Sequence, residues 1–338
     1  MSGKGTINIL YQFDENYAPY AGISITSLLI NCGCKVHCFL LTTNTDNEDI
    51  RKVISTINKY GGEATVLDAS SVNEKLESLN FPKYRGNYTT NFKLFIDDLI
   101  PKDIERIAYI DSDSIITGDI SQLNNIEMAD YPIGMVLDSV SNDTKEMKGF
   151  KPEDHYFNGG FILFNMPVWR SSGIQDEIIN HVLTTHKRYA APDQDLINIV
   201  LKDRIMLLHP RYNLQPTHFA YSNKTYFRYF KPKGYYSENE IKEAVEKPVM
   251  LHTFRFLGEF PWHKNNLHPQ NSYFDQYMEK SLWKNYVKQP SGVGTTYKIE
   301  KMMYRILPRR VFFYIFNKMF YRYIRNLIVE VDRGNDSD

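Results

Sequence analysis

Cysteine is scarce in this chain, and its placement excludes more than its number does. Cys32, Cys34 and Cys38 are the only three, crowded within seven residues. They offer no framework for a disulfide-stapled secreted fold, and a structural zinc site would lack its fourth ligand nearby. The thiols read as reduced cytosolic cysteines. The chain also lacks an uninterrupted apolar run of about 18 residues, which removes a spanning helix. Net charge is missing too: 40 Lys and Arg balance 40 Asp and Glu, so the overall balance carries no nucleic-acid signature. Met1 to Gly5 is polar and is followed by a strand-length apolar segment without a cleavage site, so no secretory signal is expected. There is no internal repeat and no low-complexity tract. What remains is a globular composition, 338 residues at 42% hydrophobic, enough for one large domain with an appendage or for two domains.

The chain is organised around Arg106 to Asp119, RIAYIDSDSIITGD. Ile107 to Ile110 form a short, continuous apolar run that reads as a buried strand. It runs straight into Asp111 and Asp113, placing two carboxylates at the carboxyl edge of a sheet, where open α/β folds bind ligands. Two hard oxygen donors suit Mg²⁺ or Mn²⁺ carrying a phosphorylated substrate. A bare DxD is also what a solvated turn after a core strand looks like, so its meaning rests on what surrounds it.

On either side the pattern alternates. Strands are expected at Thr6 to Phe13, Lys35 to Leu41 and Ala64 to Leu67. Helices are expected at Pro19 to Ile30 and at Asp46 to Tyr60, the latter capped by Thr45 or Asp46 and closed by Gly61-Gly62. This βαβαβ order indicates a mostly parallel sheet flanked by helices. A helix at Asn91 to Leu99 leads into the central strand, and strands follow at Tyr131 to Leu137 and Tyr156 to Phe164. Helices at Ser172 to Tyr189 and Gln194 to Leu201, the second opened by Pro192-Asp193, precede short strands at Ile205 to Leu208 and Val249 to Leu251. Residues 210–248 read as loops and short helices over the ligand edge. Asp14, Asn16, Asp111, Asp113, Asp138 and His252 all fall where strands end, and parallel strands deliver their carboxyl ends to one crevice.

Six separated motifs in this order resemble the family 8 glycosyltransferases: DENYAPY from Asp14, TTNFKL from Thr89, YIDSDSII from Tyr109, YFNGGFILFN from Tyr156, DQDLIN from Asp193 and HTFRFLGEFPW from His252. The resemblance runs from Ile7 to about Trp262 and is strongest to the bacterial branch that builds lipooligosaccharide and capsule. It implies a GT-A, Rossmann-like fold and a retaining, metal-dependent transfer of galactose or glucose from UDP-galactose or UDP-glucose to a saccharide acceptor. It assigns Asp111, Asp113 and His252 to Mn²⁺ or Mg²⁺. Asp14 and Asn16 would bind the uracil and ribose, and Tyr17 would stack on the base. Asn158, Asp193 and Asp138 would hold the donor sugar, with Gln194 beneath the anomeric carbon. Lys93, Ser112, Gly258 and Lys264 complete the expected donor contacts. Gln194 cannot form a stable glycosyl ester, which favours same-face attack, and Asp193 stays open as a nucleophile.

Two positions depart from the family pattern. Lys93 stands where an arginine is usual, which loses the planar fork. Phe260 stands in place of a lysine in a closing motif that is two residues longer here, leaving Arg255 or Lys264 to supply the diphosphate contact. The catalytic domain is expected over 1–265, with a helix and linker over 266–296, including the flexible QPSGVGTT stretch. Beyond them, 297–338 is a basic, aromatic tail. There Lys298, Lys301, Arg305, Arg309, Arg310, Lys318, Arg322 and Arg325 interleave with apolar residues such as Phe312, Phe313, Phe316, Phe320 and Ile324. That composition indicates a helical appendage lying on an anionic membrane over 297–330, on the inner face, where a lipid-linked acceptor would be found. Two rival readings are a catalytically silent nucleotide-sugar or membrane-binding protein and a phosphatase of the haloacid dehalogenase type. The phosphatase fits poorly, because about 110 residues with three strands precede the DxD.

Overall fold

The structure, a computed structural model, describes residues 5–185, 189–316 and 318–319. Seven strands make the main sheet: β1 (Ile7–Gln12), β2 (Val36–Thr42), β3 (Glu63–Asp68), β4 (Arg106–Ile110), β6 (Ile133–Leu137), β7 (Phe157–Asn165) and β8 (Ile205–Leu207). β5 (Ser114–Ile116) and β9 (Met250–His252) form a separate antiparallel pair. The main order is β3-β2-β1-β4-β7-β6-β8, with every neighbouring pair parallel except those made by β7. The central strands β4, β6 and β7 are buried along nearly their whole length because both faces are covered, whereas the edge strand β3 is only half-buried.

The alternating strand and helix expectation holds for the first half, with local differences in capping and helix type. The second helix begins at Glu48, not Asp46. Asn47 is its cap, its side chain accepting from the Ile50 N–H. A helix at Ser70–Ser78, unforeseen from the sequence, follows β3. Residues Thr89–Phe95 wind as a 3₁₀ segment before one α turn at Ile96–Leu99, so the expected single helix is two pieces. The helix expected from Ser172 begins at Ile174, and an unforeseen short helix, Met166–Ser171, precedes it, the two separated at Gly173 with its positive φ.

Two features of the crevice follow from the courses of the strands, and the second corrects an expectation. β7 runs antiparallel between β4 and β6, so Asn158 reaches the crevice from the amino end of its strand. His252 ends β9 and not a strand of the main sheet. It arrives because Ser114 pairs with His252 and Ile116 with Met250 across β5 and β9. The buried helix Ala18–Asn31 fastens β5 in turn. Ser27 Oγ accepts from the Ile116 N–H at 2.8 Å, and Asn31 Nδ2 donates to the Ile116 carbonyl at 3.0 Å. Polar side chains inside a helix are thereby explained as partners for a short strand that has only one β neighbour.

β7 carries a second irregularity. Its pairing with β6 jumps from Met135↔Ile162 to Val136↔Asn158, leaving residues 159–161 without β6 partners. A bulge of this kind bends the strand and frees backbone groups, here the Gly159-Gly160 pair.

The C-terminal segment packs back on the domain. Helix Thr295–Ile306 lies against a hairpin turn at Phe256 to Glu259, in which Leu257 and Gly258 both have positive φ. A Cβ at Gly258 would sit 2.6 Å from the Tyr297 ring. Leu257, Tyr304 and Phe312 form a small apolar cluster of their own. Lys301, expected on a basic membrane face, is instead bonded to the buried Glu259 carboxylate at 2.7 Å and to the Asn265 carbonyl at 2.7 Å. The stretch expected to be a free linker is tied down as well, by pairing of Gln289 with His263 and by Ser291 Oγ on Glu259. Arg322, Arg325, Phe320 and Ile324 lie outside the described residues.

Candidate active site and metal centre

A cavity of about 870 Å³ opens at the carboxyl ends of β1, β4 and β6. Asp111, Asp113 and His252 line it, each offering a ligand atom within 4.8 Å of the others. His252 Nε2 is 3.2 Å from Asp113 Oδ1 and 3.5 Å from Asp111 Oδ2. Thr253 donates both its N–H and its hydroxyl to the Asp113 carbonyl, each at 2.7 Å, locking β9 to the DxD turn.

The imidazole tautomer follows from its other neighbour. Asn158 Oδ1 accepts from the Gly160 N–H at 3.0 Å and from Asn213 Nδ2 at 2.8 Å, and lies 3.0 Å from His252 Nδ1. An oxygen fixed as acceptor makes Nδ1 a protonated nitrogen, which directs Nε2 at the two carboxylates. Burial alone would push the His252 imidazole down; Asp113 and Asp111 outweigh it and hold it above its ordinary value. Two carboxylate oxygens and an imidazole nitrogen whose proton a cation would displace, all around one point, fit a divalent cation of the Mn²⁺ or Mg²⁺ type. Gly160 makes the approach possible, since a Cβ there would lie 2.1 Å from His252 Cε1.

Lys93 is 1% exposed, with its ammonium 2.7 Å from Asp193 Oδ2, 3.8 Å from Asp111 Oδ1 and 3.1 Å from the Gly159 carbonyl. Burial opposes its charge, but Asp193 and Asp111 more than compensate and raise its pKa. The lysine is thus a bridge between the DxD and DQD motifs.

Helix Pro192–Leu201 presents the DQD motif with proline at its start and acidic residues in its first turn, as a helix dipole favours. Its three members divide their work. Asp193 faces Lys93. Gln194 accepts from the Gly159 N–H at 2.9 Å and donates to Asp138 at 2.8 Å, so the amide has a single orientation. Asp195 is buried and held by Lys148, the Tyr156 hydroxyl and the Ala191 N–H, which makes it an anchor for the helix. Asp138 is pushed up from the usual carboxylate range by burial, despite hydrogen bonds from Gln194 and Asn158.

Of the other expected donor residues, Asp14, Tyr17 and Ser112 line the cavity, and Asp14 accepts from the Tyr17 N–H to shape the turn. Ser112 is buried with its hydroxyl on the Gln12 carbonyl. Asn16, Gly258 and Lys264 are not on the cavity wall: Asn16 and Lys264 are exposed, and Gly258 faces Tyr297. Arg255 does line it, above the Phe260 ring at 5.2 Å. Phe260 stacks on Trp262 at 4.2 Å, and Trp262 on Tyr20 at 3.8 Å, so the phenylalanine extends an aromatic column that carries the arginine.

Several supporting residues were not read from the sequence. Asn198 brackets Phe157 through both its backbone groups and also donates to the Gln194 carbonyl. Its spacing of four from Gln194 on a helix was the available signal. Asn213 and the Tyr109 hydroxyl, which bonds Asp111, gave none.

Comparison with known proteins follows the same contour. A family model described as Glycosyl transferase family 8 matches residues 8–266. General stress protein A of Bacillus subtilis is 27% identical over 283 residues, covering 80% of this chain and 92% of that protein. Lipopolysaccharide 1,3-galactosyltransferase of Salmonella typhimurium is 27% identical over 294 residues, covering 83% of this chain and 80% of the relative. A solved complex of galactosyltransferase LgtC with donor and acceptor sugar analogs superposes with a TM-score of 0.64, covering 86% of this chain and 99% of that one. Its identity is 20%, so the likeness is one of fold.

The Asn158 contact carries a testable consequence. Asn158→Ala frees the imidazole to rotate and to change tautomer. Mn²⁺ affinity, measured by the loss of the free-ion electron paramagnetic resonance signal, should fall about 10- to 100-fold. Unchanged affinity would mean that the asparagine does not orient the histidine.

Proposed function

The chain belongs to glycosyl transferase family 8, and from that premise we propose that it is a retaining, metal-dependent hexosyltransferase using UDP-galactose or UDP-glucose. The observation that carries the reading is the convergence of Asp111, Asp113 and His252 on one wall of a cavity also lined by Asp14, Tyr17, Asp193 and Gln194. A divalent cation held by that triad supplies Lewis-acid stabilisation of the charge that develops on the departing diphosphate. Tyr17 offers a ring to the uracil, and Asp14 an acceptor to the nucleoside. Arg255 provides the cationic contact that Phe260 cannot, because it alone of the two cations considered for that role lines the cavity.

For the transfer itself, Asn158, Asp138 and Asp193 hold the sugar hydroxyls while Gln194 lies beneath the anomeric carbon. The bond from that carbon to the nucleotide oxygen breaks, and the acceptor oxygen bonds from the same face. The departing phosphate oxygen takes the acceptor's proton, so no protein base is required. The amide of Gln194 cannot form a stable ester, and its two hydrogen bonds keep its carbonyl and amino group in fixed directions. Asp193, neutralised by Lys93 at 2.7 Å, is the alternative nucleophile for a two-step displacement.

The acceptor is proposed to be a lipid-carried saccharide of the lipopolysaccharide or capsule type, reached from the inner face of the membrane. No described helix is long and apolar enough to cross a membrane. Ile299, Met302, Ile306, Val311 and Tyr314 are exposed, as are Lys298, Arg305, Arg310 and Lys318, the mixture that seats a segment in an anionic interface. A silent binding protein is the second reading, motivated by Phe260.

Three measurements test these readings. Across a panel of UDP-sugars, UDP release should require Mn²⁺ and should occur with UDP-galactose or UDP-glucose; no release with any donor would leave the silent binding protein. Gln194→Ala should lower kcat on the order of 100-fold, and a mass-detected glycosyl adduct on Asp193 would overturn same-face attack. The protein should sediment with vesicles containing anionic lipid and be released as salt rises from about 0.1 M to 1 M, where screening shortens to about 3 Å. Equal sedimentation with neutral vesicles would remove the electrostatic part of the membrane reading.

A further inference from the structure

The cavity does not end at the metal triad and the residues assigned to the donor. Its lining continues to Tyr221, Tyr229 and Phe230 from the 217–230 region and to Phe313 and Phe316 from the C-terminal segment. These two stretches are far apart in sequence yet share one wall. Phe313 is 1% exposed, with its ring 4.5 Å from Tyr221 and 4.4 Å from Phe230 in edge-on contact. Phe316 stacks on Phe312, which is buried against Leu257 and Tyr304. The helical stretch 309–316 therefore turns Phe312, Phe313 and Phe316 inward, spaced i, i+1 and i+4 on one face. It turns Val311 and Tyr314 outward, where they are exposed.

We propose that this aromatic annex binds the hydrocarbon part of the acceptor, an acyl or prenyl chain attached to the saccharide, while the sugar end reaches the site of transfer. The inference rests on the transferase reading for its second half only. Three features favour a hydrocarbon. Phe230, Phe313 and Phe316 offer no hydrogen-bond partner to a nucleotide phosphate or a sugar hydroxyl, and Tyr221 and Tyr229 add one hydroxyl each, too few for a bare saccharide. These rings and the triad line one continuous cavity, so a chain lying on the rings is joined to the site of transfer without a barrier. The wall is also continuous with an exposed apolar surface, since the segment supplying Phe313 and Phe316 carries Val311, Tyr314 and Met319 on its outside. A chain leaving the cavity along this segment stays on apolar atoms. The C-terminal stretch is thus part of the substrate site and not only an anchor.

The test uses the full chain and two small probes, octyl β-D-glucopyranoside below its micellar concentration and methyl β-D-glucopyranoside, titrated calorimetrically. The octyl probe should bind at least about tenfold more tightly than the methyl probe, a floor reached when only two of its seven extra methylenes are buried. Tyr229→Ala and Phe316→Ala, on separate elements and both half-buried, should each remove most of that preference. Their thermal unfolding midpoints report whether either variant has lost its fold, and the preference is read from whichever remains folded. Equal affinity for the two probes, no saturable binding of the octyl probe, or a preference surviving both substitutions would each overturn the annex. Titration of UDP with Mn²⁺ reports the nucleotide site separately. Octyl-probe binding without UDP binding would uphold the annex and sink the transferase reading, whereas the reverse would sink the annex alone.

Discussion

Four backbone groups of two glycines hold this site together. Where β7 loses its pairing with β6, the Gly159 N–H bonds the Gln194 amide and the Gly159 carbonyl takes the Lys93 ammonium. The Gly160 N–H bonds Asn158 Oδ1 and the Gly160 carbonyl receives the Asp111 N–H. A regular strand would have directed some of these groups into the ladder. The bulge releases them at the carboxyl edge of β4, and each then orients a different side chain. Glycine is needed for a second reason: the His252 ring occupies the space that a Cβ at 160 would take.

Around that kernel the charges are arranged in alternation. Asp111 and Asp113 face His252 on one side, and Lys93 stands between Asp111 and Asp193 on the other. Lys93 and His252, enclosed as they are, are held charged by the carboxylates beside them, whereas burial still pushes Asp111 upward. Asp138 is pushed upward by burial, which outweighs its hydrogen bonds from Gln194 and Asn158 and the charges of His252 and Lys148. A cation among the triad and a diphosphate beside it would enter a site whose own charges are already paired and directed, so little has to reorganise when substrate binds.

The C-terminal stretch changes the picture of a catalytic domain with a detachable tail. Lys301 on Glu259 and Tyr297 on Gly258 clamp the turn at Phe256 to Glu259, which lies between Arg255 and Phe260 in the closing motif. Farther on, Phe313 and Phe316 complete the cavity wall. One segment therefore touches both the turn beside Arg255 and a wall of the cavity that holds the triad. Seating of this stretch on the domain and readiness of the site are physically linked through these shared residues.

The sequence by itself determined the strand and helix alternation of the first half, because apolar runs and caps are local signals. It also identified the chemistry-bearing motifs, and through Asp111, Asp113 and His252 the kind of ion they suit. What it could not determine were the events that depend on partners distant in the chain. The antiparallel course of β7, the jump in its register and the pairing of β5 with β9 are choices among neighbours, and no window of residues encodes a neighbour. Lys301 looked like part of a basic face until Glu259 stood opposite it, and Asn213 looked like any loop asparagine until Asn158 turned towards it. Only the tertiary structure decided these, because hydrogen bonds and ion pairs over such separations form only after the sheet has brought their members together.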